Sequence, residues 1–265
     1  MAPKRRAPVP AGETASAGNA IASRIERARA AERRGDPKAA LAAYHEALTA
    51  LGPESLDPRY ADVLRFMGTI QRDRGETENA QRYYQSSLEA AQRAGYVAGI
   101  AHATNWLAVI AVRRGELTDA ETRFQEAALL AEGCREHRLL GMVEQNLGVL
   151  ANIRGELDTA LTRYRRALAG FKAAADFDML ASVLNNIGVL QTELKDWTAA
   201  EHNFNEAQST ALAAENIAVA NSVDLNRAEL EAARARWEIV EQTSRRAGAL
   251  ARTRQDPVAE AEALK

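Results

Sequence analysis

Four histidines, one cysteine and an abundance of carboxylates are the residues of this chain that could do metal or covalent chemistry. The histidines, His45, His102, His137 and His202, are scattered, and no two share the spacing that sets a pair of imidazoles on one helix face for zinc. The single cysteine, Cys134, excludes an intramolecular disulfide and a cysteine-rich metal site. It lies beside Glu132, Arg135 and Glu136, with nothing to mark it as a nucleophile, and reads as an incidental or buried thiol. No GxxxxGK loop and no GxGxxG turn is present to cradle a phosphate. The carboxylates fall where solvated helix faces would put them. No catalytic residue, cofactor or metal is therefore expected, and the chain is read as a non-enzyme.

Composition points the same way. Of 265 residues, 46% are hydrophobic, enough for a packed core, and 34 basic residues nearly balance 36 acidic ones. A net charge of -2 gives no global field to draw in nucleic acid or an anionic membrane. No apolar run approaches the roughly 18–20 residues that span a bilayer. Helix formers dominate, and strong β-forming runs are absent, so the fold class is expected to be all-α. The opening "MAPKRRAPVPAGETASAGNA" is basic but lacks the apolar core of a secretory signal. Its mixture of Pro, Gly, Ala and charge predicts a disordered tail over residues 1–20 and a cytoplasmic protein. The Ala- and Arg-rich composition suits a GC-rich bacterial source.

What organises the chain is repetition. "QNLGVLANIRGELDTALTRYRRA" (145–167) returns without a gap as "NNIGVLQTELKDWTAAEHNFNEA" (185–207), a period of 40 residues. The triplet Arg34–Asp36 recurs at Arg74–Glu76, Arg114–Glu116 and Arg154–Glu156, becomes Leu194–Asp196, and decays to Arg234–Arg236. A small residue precedes a fixed alanine by twelve: Ala28 and Ala40, Gly68 and Ala80, Ala108 and Ala120, Gly148 and Ala160, Gly188 and Ala200. Four residues on stands an aromatic (Tyr44, Tyr84, Phe124, Tyr164, Phe204), and three further another small residue (Ala47, Ser87, Ala127, Ala167, Ala207). The triplet reads as a turn between two helices, with Gly past the first helix and an acid near the positive end of the second. Small residues let the two helices approach, and the aromatic fills the space beside them. A single hairpin would leave an apolar face in water, so hairpins must stack.

These positions resemble the tetratricopeptide repeat family, whose signature runs Gly, Ala, aromatic, Ala at the same offsets. The likeness covers roughly residues 21–247, in repeats of about 21–60, 61–100, 101–140, 141–180, 181–220 and 221–260, with the start of a further helix after them. The 40-residue unit is similar to the long-helix subgroup of kinesin light chains and bacterial regulators. The sequence departs from the family where Ala151 and Gln191 replace a usual tyrosine and where the terminal proline is missing. The end copies are degenerate: Arg27 and Arg227 stand where Met67, Leu107, Leu147 and Ile187 stand elsewhere, and Ser244 replaces the aromatic. The resemblance implies a right-handed α-solenoid of about six helix-turn-helix repeats, over residues 21–265.

It also implies that the first helix of each repeat lines a concave groove. The groove residues it gives are Arg65 and Arg72; His102, Asn105, Trp106 and Arg113; Met142, Gln145, Asn146, Val149 and Asn152; and Ser182, Asn185, Val189 and Glu193. The groove then runs from arginine and aromatic residues, through apolar and amide residues, to acid at Glu193 and Glu229. Amides both donate and accept, so they could hold an extended peptide backbone whatever its sequence. Against that, Asn146 and Asn186 could equally bond a neighbouring helix, Trp106 could pack between hairpins, and Trp197 and Trp237 read as structural. Arg65 and Thr69, then Trp106, then Met142 and Asn146 do not supply the set that clamps a chaperone's C-terminal carboxylate. Glu193 and Glu229 oppose RNA binding.

The expected function is a non-enzymatic scaffold that binds a peptide or helix of a partner protein. The alternative is a sensory or dimerisation module of a larger bacterial signalling or transcription-regulatory protein, with a homodimer as its partner.

Overall fold

The computed structural model describes residues 11–253, with side chains over 18–238 and at Gln242 and Arg245. Among these residues the chain is all-α, and no strand occurs. The helices come in pairs: α1 (Ala11–Arg33) with α2 (Pro37–Leu51), α3 (Pro58–Asp73) with α4 (Thr77–Arg93), and α5 (Val97–Arg113) with α6 (Leu117–Gly133). They continue as α7 (His137–Ile153) with α8 (Leu157–Ala173) and α9 (Phe177–Glu193) with α10 (Trp197–Ala213), and close with α11 (Ile217–Thr253).

From α4 to α10 each helix has 17 residues. The turns between them share one design. A residue of positive φ follows each helix, at Gly75, Gly95, Gly115, Arg135, Gly155, Ala175, Lys195 and Glu215. The next amide then reaches back five residues, as Glu76 does to Gln71 (2.9 Å) and Asp196 to Gln191 (2.9 Å), which satisfies carbonyls the helix end leaves open. Turns within and between repeats are thus the same motif, set 20 residues apart. Only the first kind was legible, because the second keeps glycine at Gly95 alone and swaps it for Arg135, Ala175 and Glu215.

The recurring small and aromatic residues meet inside each hairpin. Ala40, Ala80, Ala120, Ala160 and Ala200 have no exposed surface, and the five aromatics are buried with them. A Cβ added at Gly148 would stand 2.5 Å from the Tyr164 ring, and one at Gly188 2.5 Å from Phe204. Glycine therefore lets the ring lie directly on the neighbouring helix. Ser87 takes the place of the last alanine and remains fully paired, because its hydroxyl donates to the Ala61 carbonyl at 2.7 Å.

The described residues divide into two compact units between Leu139 and Leu140, inside α7. In the N-terminal unit consecutive helices from α1 to α6 pack in chain order, as in an α-solenoid, around Tyr44, Met67, Tyr84 and Ile110. In the C-terminal unit α8 to α11 do the same, with a core running from Ala151 and Tyr164 through Phe171, Leu184 and Phe204 to Leu230.

Two features depart from the sequence reading at the ends. Helix α1 starts at Ala11 and so occupies the second half of the segment 1–20 read as a disordered tail; residues 1–10 lie outside the described residues. The sixth copy is not a hairpin. Helix α11 runs unbroken over 37 residues through Arg234–Arg236, where the turn was expected. Ala233 and Ala235 are strong helix formers, and no glycine interrupts them. The face that would meet a second helix is also polar, with Asp224, Arg227 and Glu231 all wholly or partly in solvent. The further helix after residue 260 lies outside the described residues.

Candidate functional site

The first helix of each pair presents its second, fifth, sixth, ninth and twelfth residues, within copies starting at residues 61, 101, 141 and 181, as a half-exposed stripe. That stripe is built differently in the two units.

In the N-terminal unit it is a set of rings and guanidinium groups. Phe66 of α3 stacks on Tyr44 of α2 (centroids 5.8 Å apart), and Trp106 of α5 stacks on Tyr84 of α4 (5.9 Å). Arginines cap the outer faces: Arg65 lies 4.4 Å from the Phe66 centroid and Arg72 lies 4.3 Å from that of Trp106. Each arginine is also ion-paired, Arg65 to Asp62 at 2.8 Å and Arg72 to Asp73 at 2.7 Å. Trp106 thus packs between hairpins, and Arg65 and Arg72 are largely spent on their own rings.

His102 sits partly buried beside Arg65 and Arg138. Burial first, and those two cations after it, hold its imidazole down to about 3, so it is neutral at ordinary pH. Arg113 is exposed at the end of α5. Asn105 corrects the sequence reading: it has no exposed surface and cannot line a face. It shares position five with the half-exposed Arg65, Gln145 and Asn185, so burial here depends on the neighbouring side chains and not on the register.

In the C-terminal unit the rings are gone. Position six carries Asn146, Asn186 and Asn226 in place of Phe66 and Trp106. Asn226 Nδ2 of α11 donates to Asn185 Oδ1 of α9 at 2.9 Å. The Asn185 amide therefore bridges helices. Ser182 donates to the Asp178 carbonyl within its own helix (3.0 Å). Met142 and Val189 lean on the core from the surface. What stays open is a patch on α7 where Val149 is 37% and Ile153 55% exposed, with Asn152 beside them; Gln145 and Asn146 lie half-buried a turn or two earlier. Glu193 is exposed at the end of α9.

The sequence reading overlooked Glu144. It is buried on α7 and holds Arg163 at 3.1 Å and Arg166 at 3.7 Å, both on α8. In the other central copies its equivalents are Leu64, Thr104 and Leu184, so a charge where those copies are uncharged was the available signal. Trp197 packs on the core, as expected of a structural residue, whereas Trp237 is 41% exposed under the Lys195 ammonium. Among the described residues no group of three His, Cys, Asp or Glu could hold a metal ion, and no helix is long and apolar enough to cross a membrane.

Hairpins of equal length, joined by equal turns and closed by a small residue against a ring, define a helical-repeat protein. The particular repeat is given by family models: residues 63–95 and residues 99–173 each match the tetratricopeptide repeat, so the chain carries tetratricopeptide repeats over those residues. No curated protein sequence matches it. Among solved structures it is similar to BtubC from P. vanneervenii, at 21% identity over 78% of this chain and 93% of that one, with a TM-score of 0.57. It is similar also to the Rap conjugation gene regulator of plasmid pLS20 in complex with the Phr* peptide, at 14% identity over 97% and 74%, TM-score 0.67. A third is a signal transduction ATPase with numerous domains, carrying a tetratricopeptide repeat sensor, from Pyrococcus horikoshii. It is 15% identical over 90% of this chain and 37% of that one, with a TM-score of 0.64. At these identities the likeness is one of fold.

Proposed function

We propose that the chain is a non-enzymatic scaffold that binds an extended peptide along its first-helix faces. The observation that carries this reading is the α7 patch. Val149, Asn152 and Ile153 are spaced i, i+3, i+4, so they share one helix face, and exposed aliphatic groups there flank an amide. Aliphatic contact supplies affinity and the amide can hold backbone, a combination that suits a peptide without demanding a fixed sequence. Glu193, in the same unit as the patch, is an exposed charge at the end of α9 and would orient the peptide. The pLS20 regulator, solved with a peptide, supports this use of the fold.

The test is a peptide selection against the full chain, followed by Val149→Glu/Asn152→Ala. Selected peptides should bind the variant at least ~10-fold more weakly while its helical circular dichroism is unchanged. Equal affinity would remove the α7 face from the reading. A second reading, a sensory or dimerising part of a larger signalling protein, is favoured by the Pyrococcus horikoshii neighbour, in which the matched region is 37% of the chain. Sedimentation that shows a concentration-dependent dimer would support it.

A further inference from the structure

Two turns of the molecule, four copies apart, join a first helix to its second helix and carry a cavity each. At the α9–α10 turn the residue of positive φ is Lys195. Its Nζ lies 3.5 Å from the centroid of Trp237, in a cavity of about 250 Å³ that Glu193, Thr192 and Trp197 help to line. A cation of the chain itself therefore occupies the C-terminal example, on an aromatic surface near a carboxylate. At the α1–α2 turn the equivalent residue is Gly35, which has no side chain to place there. The cavity is correspondingly larger, about 370 Å³, with Phe66, Ile70 and Thr69 on its wall and the carboxylates of Glu32 and Asp73 at its edge.

The basic groups around this second cavity already have partners, among them its own carboxylates: Arg29 and Arg33 act on Glu32, and Arg72 pairs with Asp73. Arg72 makes both of its bonds to Asp73 through Oδ1, at 2.9 and 2.7 Å, which leaves Oδ2 for another donor. Arg74 turns to Glu76 at 3.0 Å, and Arg29 lies over the Phe66 ring at 4.9 Å. Burial, and with it the Asp73 charge, holds the Glu32 carboxyl above the usual carboxylate range, which a nearby cation would relieve.

We propose that the cavity at the α1–α2 turn takes the cationic side chain, lysine or arginine, of a bound peptide, with Glu32 and Asp73 as counter-charges and Phe66 and Ile70 against the aliphatic stem. This rests on the peptide-binding reading, taken for the N-terminal unit by itself, and it goes further by assigning one pocket and one residue class. The side chain would do for the N-terminal unit what Lys195 does for the C-terminal one.

The direct probe is N-acetyl-lysine methylamide, titrated into the full chain and followed by amide NMR shifts, with the norleucine analogue as control. The lysine probe should saturate shifts in residues 32–37 and 66–74, and the norleucine probe should not. Two variants close the site by different means: Glu32→Gln/Asp73→Asn removes the charges, and Gly35→Lys supplies the cation from within. Each should weaken the lysine probe at least ~10-fold. Equal response to norleucine, or lysine binding that survives both variants, overturns the proposal. Peptides selected on the wild type should carry a basic residue at a fixed position, and those selected on Gly35→Lys should not. Selection that yields peptides without a basic preference sinks the pocket alone. A selection that yields no peptide sinks the peptide reading, and the lysine probe then decides the cavity separately.

Discussion

The first-helix faces of the two units are the same backbone furnished in two ways. In the N-terminal unit position six is Phe66 or Trp106, each stacked on a tyrosine and capped by an arginine. In the C-terminal unit position six is asparagine, and the exposed groups are Val149 and Ile153. A ring and its guanidinium satisfy one another, so the stripe built from them has little interaction energy left for a partner away from the carboxylate-edged cavity at the α1–α2 turn. Aliphatic groups in water have all of theirs left. A count of recognisable binding residues would favour the N-terminal face, and the geometry favours the α7 patch.

The largest test of this contrast lies in the shared frame. Phe204→Ala and Tyr84→Ala should each cost about 3–5 kcal/mol in chemical denaturation, because each leaves a ring-sized void against Gly188 or Gly68. Only Tyr84→Ala should also change the fluorescence of Trp106, which loses its stacking partner. An unchanged Trp106 signal would break the idea that rings hold the N-terminal face.

Acid sensitivity is the next effect. A folded His102 with its pKa near 3, against about 6.5 when unfolded, binds fewer protons than the unfolded chain between those values. Its contribution to stability is therefore intact above pH ~6.5 and declines as pH falls towards 3, by at most about 1.4 kcal/mol per pH unit. His102→Gln should flatten that part of the stability profile, since the counterparts Met142 and Ser182 do not titrate. The same slope in wild type and variant would rule His102 out as the source.

Smaller still is the amide bridge. A double-mutant cycle on Asn185→Ala and Asn226→Ala should return a coupling of about 1 kcal/mol, and no coupling would return Asn185 to the set available for a partner. Last comes the strain of a non-glycine left-handed residue. Ala175→Gly should stabilise by about 0.5–1 kcal/mol and Gly155→Ala should destabilise by a similar amount, read from the denaturation midpoint.

Much of this frame was legible in the sequence because it is written several times over. The small, alanine and aromatic positions recur at fixed offsets, and repetition separates them from surface noise. Three things were not legible. The turns between repeats were hidden because Arg135, Ala175 and Glu215 take a conformation that usually announces itself as glycine. The missing turn at Arg234–Arg236 was read as a weakened copy, although polar residues on α11 remove the reason for a second helix to fold back. Among the face residues the register located Asn105 and Asn185 correctly on the stripe. It could not say that neighbours would cover the first and that a helix one repeat away would engage the second.

The 20-residue spacing of identical turns has a consequence at the level of the gene. A misaligned crossover offset by one full copy inserts or removes 40 residues and rejoins a first helix to its own kind, with ring, alanine and glycine still opposite one another. An offset of half that length also preserves helix length and turn geometry, but it brings Leu88 or Leu168 to the place of Gly68 or Gly148, where even a Cβ would stand 2.7 or 2.5 Å from the facing ring. The turns alone would permit changes in steps of one helix; the packing allows only steps of two. Array length can therefore drift in whole hairpins at small cost, and the exposed stripe is free to diverge from copy to copy while it does so.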